Sequence, residues 1–314
     1  MTQMDPSAVW AAVVGGMNMD VGGRPDAALI SNDSNPGRVR LSPGGVGRNI
    51  AHNLALLGVD TRMLTVLGED LYAQRLAASC AEAGIDLTQS LHLPGESTST
   101  YLYILDERGD MALALSDMAI YRRLTPEALA PRLPWLNSAS VIVLDANIPA
   151  ESILWLCEHA RVPIFADPVS VTKADRLADV LPRLHTLKPN RLEAERLTGV
   201  AITDEKSARR AADALLGTGL QRVFLSLGSE GVLAADHRGQ VFLPALDAKV
   251  VNATGGGDAF MAGLVWAYLR GESLVGSARA GLAAAALALE SAETVNPNMS
   301  RRALCRRLEA FNIQ

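Results

Sequence analysis

Asn252-Ala253-Thr254-Gly255-Gly256-Gly257-Asp258-Ala259-Phe260 is the most informative stretch of the chain. A strand-like segment, residues 249–251, precedes it, and an apolar helical run, residues 260–269, follows. A strand passing through glycines into a helix is one unit of an α/β fold. Three consecutive glycines at a helix start leave the first-turn amides unshielded by side chains. Those donors converge at the positive end of the helix dipole, where an anion binds. Asp258 would repel a static phosphate there. It suits a base that takes the proton from a hydroxyl attacking phosphorus while the glycine amides stabilise the transferring group. The alternative is a tight turn with Asp258 as N-cap or dipole-complementing residue.

Outward from this unit the same alternation recurs. Apolar runs at 9–14, 61–67, 141–144, 164–166 and 223–227 read as buried strands. Residues 50–57, 71–83 and 151–160 read as helices, the first two closed by Gly58 and Gly84. This order predicts an α/β fold with a mostly parallel sheet. Residues 18–42 and 98–118 break the rhythm. The first is rich in Gly, Asn, Asp and Pro. The second alternates through Tyr101, Tyr103 and Leu105 and turns at Glu107-Arg108-Gly109-Asp110, as a β-hairpin does. Together they are expected to form a small β-layer over one end of the sheet. No repeat or linker divides the chain, so residues 1–314 are expected to form a single domain.

Composition excludes several functions. Of 314 residues, 29 are Lys or Arg and 34 are Asp or Glu, a net charge of −5, which argues against a nucleic-acid partner. Arg301, Arg302, Arg306 and Arg307 with Leu304 and Leu308 read as the solvated basic face of an amphipathic helix. Cys80, Cys157 and Cys305 stand too far apart for a zinc pattern and read as free thiols. Met1-Thr2-Gln3-Met4-Asp5 lacks a basic, then apolar, leader, and no apolar run reaches the roughly 18 residues of a membrane span. The expected location is cytoplasmic.

Four further motifs bear on chemistry. Gly44-Gly45-Val46-Gly47-Arg48-Asn49 precedes an apolar helix; its glycines admit a ligand, and Asn49 can pair with hydroxyls. A structural turn is the alternative. Gly15-Gly16-Met17-Asn18-Met19-Asp20 ends the first strand, and Asn18 and Asp20 suit sugar hydroxyls or a capped loop equally. In Lys188-Pro189-Asn190-Arg191-Leu192-Glu193, Asn190 and Glu193 have capping spacing; the functional alternative is a carboxylate holding Mg²⁺ through water. Ser226-Leu227-Gly228-Ser229-Glu230-Gly231 is a polar strand end, where ligands sit in open α/β sheets, or a hairpin turn before 232–235. Asp145, Asn147 and Asp167 also end strands, as cleft residues or turn caps.

In this order the motifs resemble the ribokinase-type (PfkB) carbohydrate kinase family over nearly the whole chain. The early signature is Gly44-Gly45-Val46-Gly47-Arg48-Asn49-Ile50-Ala51, and the late one is Thr254-Gly255-Gly256-Gly257-Asp258. The resemblance implies a ribokinase-like three-layer α/β sandwich with a mostly parallel central sheet. Residues 18–42 and 98–118 would form a small β-sheet lid that pairs with a second copy in a homodimer. It implies ATP and Mg²⁺, with Asp258 as general base and Gly255, Gly256 and Gly257 as anion hole. Asn18, Asp20, Gly44, Gly45 and Asn49 match the sugar positions. Asn190, Ser226, Gly228 and Gly231 match the nucleotide side, and Glu193 the Mg²⁺ side. Asp33-Ser34-Asn35-Pro36-Gly37, Asp117-Met118 and residues 186–195 resemble the branch of the family that phosphorylates pseudouridine in bacteria. That implies transfer to the 5′-hydroxyl of this nucleoside. Ribokinase-, adenosine- or fructose-type kinases of the same fold, or a catalytically silent sugar or nucleoside sensor, are the alternatives; a nicotinamide-dependent dehydrogenase is a distant one and lacks its fingerprint. Asn252 stands where many relatives carry an Asp at a K⁺ site; a neutral amide weakens K⁺ binding.

Overall fold

A computed structural model describes residues 9–311, so Met1–Asp5 lie outside the described residues. The chain runs β1 (Trp10–Val14), β2 (Asn18–Pro25), β3 (Gly37–Gly44), α1 (Val46–Leu56), β4 (Asp60–Leu64), β5 (Val66–Leu67), α2 (Leu71–Glu82), β6 (Leu91–His92), β7 (Thr100–Leu105) and β8 (Met111–Asp117). There follow α3 (Pro126–Leu129), α4 (Leu133–Leu136), β9 (Val141–Asp145), α5 (Ala150–His159), β10 (Ile164–Asp167), α6 (Val171–Ala174), β11 (Thr186–Leu187), α7 (Arg191–Thr198) and α8 (Glu205–Gly217). The last part is β12 (Arg222–Ser226), β13 (Val232–Asp236), β14 (Gly239–Leu243), α9 (Gly256–Tyr268), α10 (Leu274–Leu289) and α11 (Arg301–Phe311).

Eight strands form the central sheet in the order β14-β13-β12-β11-β10-β9-β1-β4. The six from β12 to β4 are parallel, and β13 and β14 fold back as an antiparallel edge. The buried apolar strands explain the architecture. Side chains alternate across a strand, so Trp10, Ala12 and Val14 enter one core with Ile142 and Leu144, while Ala11 and Val13 enter another with Val141 and Val143. The first core lies under α5 and α8, the second under α1, α9 and α10. Helices therefore cover both faces, as an all-buried parallel sheet requires.

A second sheet, β3-β2-β7-β8, is built from the two segments that broke the rhythm. The expected hairpin is β7–β8, closed where the Asp106 carboxylate accepts from the amides of Arg108 and Asp110.

Several boundaries correct the sequence reading. Helix α1 starts at Val46, so Asn49 lies inside it, and α9 starts at Gly256, so two of the three glycines are helical. The single strand expected at 61–67 breaks at Thr65, whose amide donates to Ser90 Oγ; β5 then leaves the large sheet to pair with β6. Residues 249–251 form no strand. Val250 and Val251 are exposed, and the Val251 amide caps the end of α10 at the Leu289 carbonyl. Two β-branched side chains suit a strand, but the backbone here bonds to the end of α10. Cys80, Cys157 and Cys305 are free. No described helix is long and apolar enough to cross a membrane.

Candidate active site

Parallel strands deliver their C-terminal ends to one edge of a sheet, where ligands bind in open α/β folds. Here that edge carries Gly15-Gly16 after β1, Asp145 ending β9, Asp167 ending β10, Lys188 after β11 and Ser226 ending β12. The N-termini of α1 and α9 meet there.

Gly255 is the N-cap of α9, with φ +85°. A Cβ at this position would land on the Thr294 carbonyl oxygen, so backbone and packing both demand glycine. Asp258 is therefore the third helical residue, not the cap. Its carboxylate accepts from Asn49 Nδ2 at 2.9 Å. One hydrogen bond thus joins the two glycine motifs across 209 residues. Burial and the nearby Asp167 charge push Asp258 up to about 7, against the Asn49 hydrogen bond and the Lys188 charge. Such a carboxylate is poised to exchange a proton near neutrality.

Asn18 begins β2 and donates to Asp20 Oδ1 at 2.6 Å. Burial lifts Asp20 to about 6, opposed by that bond and by the Arg48 charge. Gly44 pairs with Asn18 in the sheet, and a Cβ on Gly44 would strike the Asp20 carboxylate. Asn18, Asp20, Gly44, Gly45 and Asn49 are thus brought together. Asp20 lines a cavity of ≈ 700 Å³ whose wall also includes Ser42, Arg48, Tyr101, Asn252 and Thr254. His52 also lines it; its Nδ1 lies 2.9 Å from Arg48, and burial with the Arg48 charge depresses it to about 4.

On the other side, Asn190 Oδ1 accepts from the Glu193 amide at 2.9 Å, and Glu193 Oε2 accepts from the Asn190 amide at 2.8 Å. The capping box foreseen from the spacing is formed. Glu193 is nevertheless buried, and burial and Asp167 raise its proton affinity. Ser226 pairs with Asn190 and donates its amide to the Pro189 carbonyl at 2.9 Å. The hairpin alternative also holds: residues 227–231 turn β12 into β13, with Gly228 and Gly231 at positive φ. Asn190 and Ser226 are thus paired two residues beyond Lys188, and Gly228 and Gly231 follow in the turn after β12.

Lys188 carries no role of its own in the sequence reading, and Asp145 and Asp167 are left there between cleft residues and turn caps. Lys188 is buried, its Nζ 3.1 Å from Asp167 Oδ2 and 3.4 Å from where a Cβ on Gly257 would lie. Burial lowers its proton affinity, but the Asp167, Glu193 and Asp258 charges hold it above the ordinary lysine value. A buried cation against a helix N-terminus adds to the positive end of the dipole, an arrangement that favours an arriving anion. Asp167 also caps its own turn through the Val169 amide at 2.8 Å. Asp145, fully buried, accepts from the amides of Gly16 (2.9 Å), Gly47 (2.6 Å) and Asn147 (2.9 Å). It ties both acceptor-side loops to β9. The available signal was a charged residue directly after each buried apolar run. Lys173 Nζ donates to Asn147 Oδ1 at 2.6 Å.

A buried carboxylate, a helix N-terminus with an added lysine and a cleft between two loop sets are an arrangement suited to phosphoryl transfer. The model of the pfkB family of carbohydrate kinases matches residues 11–301, and the chain belongs to that family. It is an ATP-dependent kinase, and kinases of this type use ATP with a divalent metal. The chain is 41% identical to pseudouridine kinase of Escherichia coli (strain K12), over 93% of this chain and 94% of that protein. A carbohydrate kinase from Agrobacterium tumefaciens superposes with a TM-score of 0.86 at 28% identity, covering 96% of this chain and 97% of the other. Arabidopsis thaliana ribokinase, solved with ribose and ATP, shares the fold with a TM-score of 0.86 at 23% identity, covering 96% and 99%.

Proposed function

We propose that the chain transfers the γ-phosphoryl group of ATP to the 5′-hydroxyl of pseudouridine, giving pseudouridine 5′-phosphate. The observation that carries this reading is the Asn49–Asp258 contact at the start of α9, which sets a base between an acceptor pocket and a phosphate-binding helix end. The similarity to the E. coli pseudouridine kinase supports the acceptor.

Asn18, Asp20 and Asn49, with the Gly44-Gly45 backbone, hold the ribose. Asp258 removes the hydroxyl proton as the bond to phosphorus forms. The amides of Gly255, Gly256 and Gly257 and the Lys188 ammonium take up charge on the transferring group. Asn190, Ser226, Gly228 and Gly231 line the nucleotide side. Among the described residues no three His, Cys, Asp or Glu side chains gather as a metal cage. A Mg²⁺ ion held chiefly by phosphates and water, with Glu193 as its carboxylate, fits that donor set. Asn252 fits a cation poorly: its oxygen accepts from the Thr254 amide and its NH₂ donates to the Ala292 carbonyl. We assign no K⁺ to it. In this reading the enzyme is cytoplasmic and works as one domain, with the four-stranded sheet as a lid that excludes water from the transfer.

The outer face of that sheet supports pairing with a second copy. Val39, Leu113 and Leu115, all on the face opposite Asp20, are 74%, 55% and 63% exposed. Sedimentation should give a dimer for the native chain and a monomer for the Val39→Glu/Leu113→Glu variant. A native monomer removes this part of the reading.

The decisive test is ATP consumption with Mg²⁺ and pseudouridine, uridine, adenosine, ribose or fructose, side by side. Pseudouridine is expected to give the highest kcat/KM. Preference for another acceptor discards the substrate but keeps the chemistry; no turnover with any favours a sensor.

A further inference from the structure

The acceptor end of the cleft does not stop at Asp20. A row of side chains crosses the cleft face of the small sheet: Ser42 on β3, Asp20 on β2, Tyr101 on β7 and Ser116 on β8. The cavity toward the phosphoryl donor takes in the Ser42, Asp20 and Tyr101 end of this row, together with Asn252 and Thr254 just ahead of Gly255. A second cavity, ≈ 650 Å³, takes in the Ser116 end. Its wall includes Asp117, Asn147, Glu151 and Lys173. Tyr101 and Ser116 are direct cross-strand partners, so the two cavities lie side by side along this face of the sheet. A sugar held by Asp20 with its 5′ end toward Gly255 has the second cavity on the β8 side of it.

That cavity is polar and firmly built. Arg176 Nη1 donates to the carbonyls of Ala146, Asn147 and Ile148 at 2.9–3.1 Å, fixing the turn between β9 and α5. Lys173 retains donor capacity beyond its bond to Asn147, since an ammonium has three protons. Asp117 lines the cavity at the end of β8, its Oδ1 3.4 Å from the Ala119 amide. The pocket thus offers both a cationic donor and an acceptor. A free pentose has no second ring to place there. A uracil ring has two carbonyl oxygens for donors. Joined to the sugar through carbon it presents two N–H groups; joined through nitrogen it presents one.

We propose that this second cavity is the nucleobase pocket, with Lys173 donating to a uracil carbonyl oxygen and Asp117 accepting the N–H that only the carbon-linked nucleoside possesses. The assignment rests on the nucleoside kinase reading above and goes further, naming the groups that select the base. Glu151, the other carboxylate on the wall, lies in the first turn of α5, where it complements the helix dipole.

The test compares kcat/KM ratios, each pair of substrates measured on one preparation so that partial misfolding cancels. Lys173→Met should lower the pseudouridine-to-ribose ratio about tenfold or more, the usual scale for a lost charged hydrogen bond. Asp117→Ala should lower the pseudouridine-to-uridine ratio by about the same factor, and by more than Glu151→Gln does. A native enzyme that prefers ribose overturns the nucleoside reading itself. A native enzyme that prefers pseudouridine, with native ratios kept by Lys173→Met and Asp117→Ala, overturns the pocket alone. A fall in the uridine ratio confined to Glu151→Gln overturns the role of Asp117.

Discussion

Asp258→Asn is expected to lower kcat by about 10²–10⁴-fold, or about 3–5 kcal/mol of barrier, with little change in KM for ATP. The amide keeps the shape and the contact with Asn49 but cannot take a proton. A pH profile separates this from a general loss of fit. The native carboxylate is lifted to about 7, so kcat/KM should fall as pH drops below about 7 and the base becomes protonated. The residual activity of the variant should lack that limb. Stability should move the other way. A carboxyl whose folded-state value exceeds its unfolded value destabilises the fold when ionised, and the cost grows as pH rises from about 4 to 7. The variant should therefore melt higher than the native chain, by more at pH 8 than at pH 5. Near-native kcat in the variant would sink the base assignment.

Lys188→Met is the second large effect. Removing a preorganised donor from a developing phosphoryl charge is expected to cost about 10²–10³-fold in kcat. The same change strands the buried Asp167 carboxylate, so the single variant should also lose about 3–5 kcal/mol of stability. Asp167→Asn/Lys188→Met resolves the ambiguity by removing both charges. If Lys188 acts on the phosphoryl group, the double variant regains stability but not rate. If its function is only to neutralise Asp167, the double variant regains both. Loss of the ammonium also releases Asp258 upward, so the acid limb should shift to higher pH in the single variant.

Elements governed by local pattern were legible in the sequence. Runs such as Val141-Ile142-Val143-Leu144 need burial on both faces, and only a parallel sheet between helices provides it. The Asn190–Glu193 spacing foretold its capping box, and Tyr101-Leu102-Tyr103 its hairpin strand. What escaped depended on distant partners. Residues 249–251 have strand-forming side chains but meet the end of α10 instead of a sheet edge. Asp145 reads as a turn cap, and it is one, yet its other oxygen gathers two loops from the first fifty residues. Lys188 sits in plain view within its motif. Only the adjacency of β10, β11 and the start of α9 gives its charge a purpose.

The place of β1 in the sheet has a consequence for synthesis on the ribosome. Its five buried residues pair on one side with β4, which emerges about fifty residues later, and on the other with β9, which is complete only at Asp145. Until then the growing chain carries an apolar strand with an open edge, the kind of surface that invites pairing with other nascent chains. Two loops of the candidate cleft hang on this closure, because Gly16 and Gly47 are held by Asp145. The first strand is thus completed only when β9 emerges, and conditions that slow translation between β4 and β9 lengthen the interval in which its edge is open.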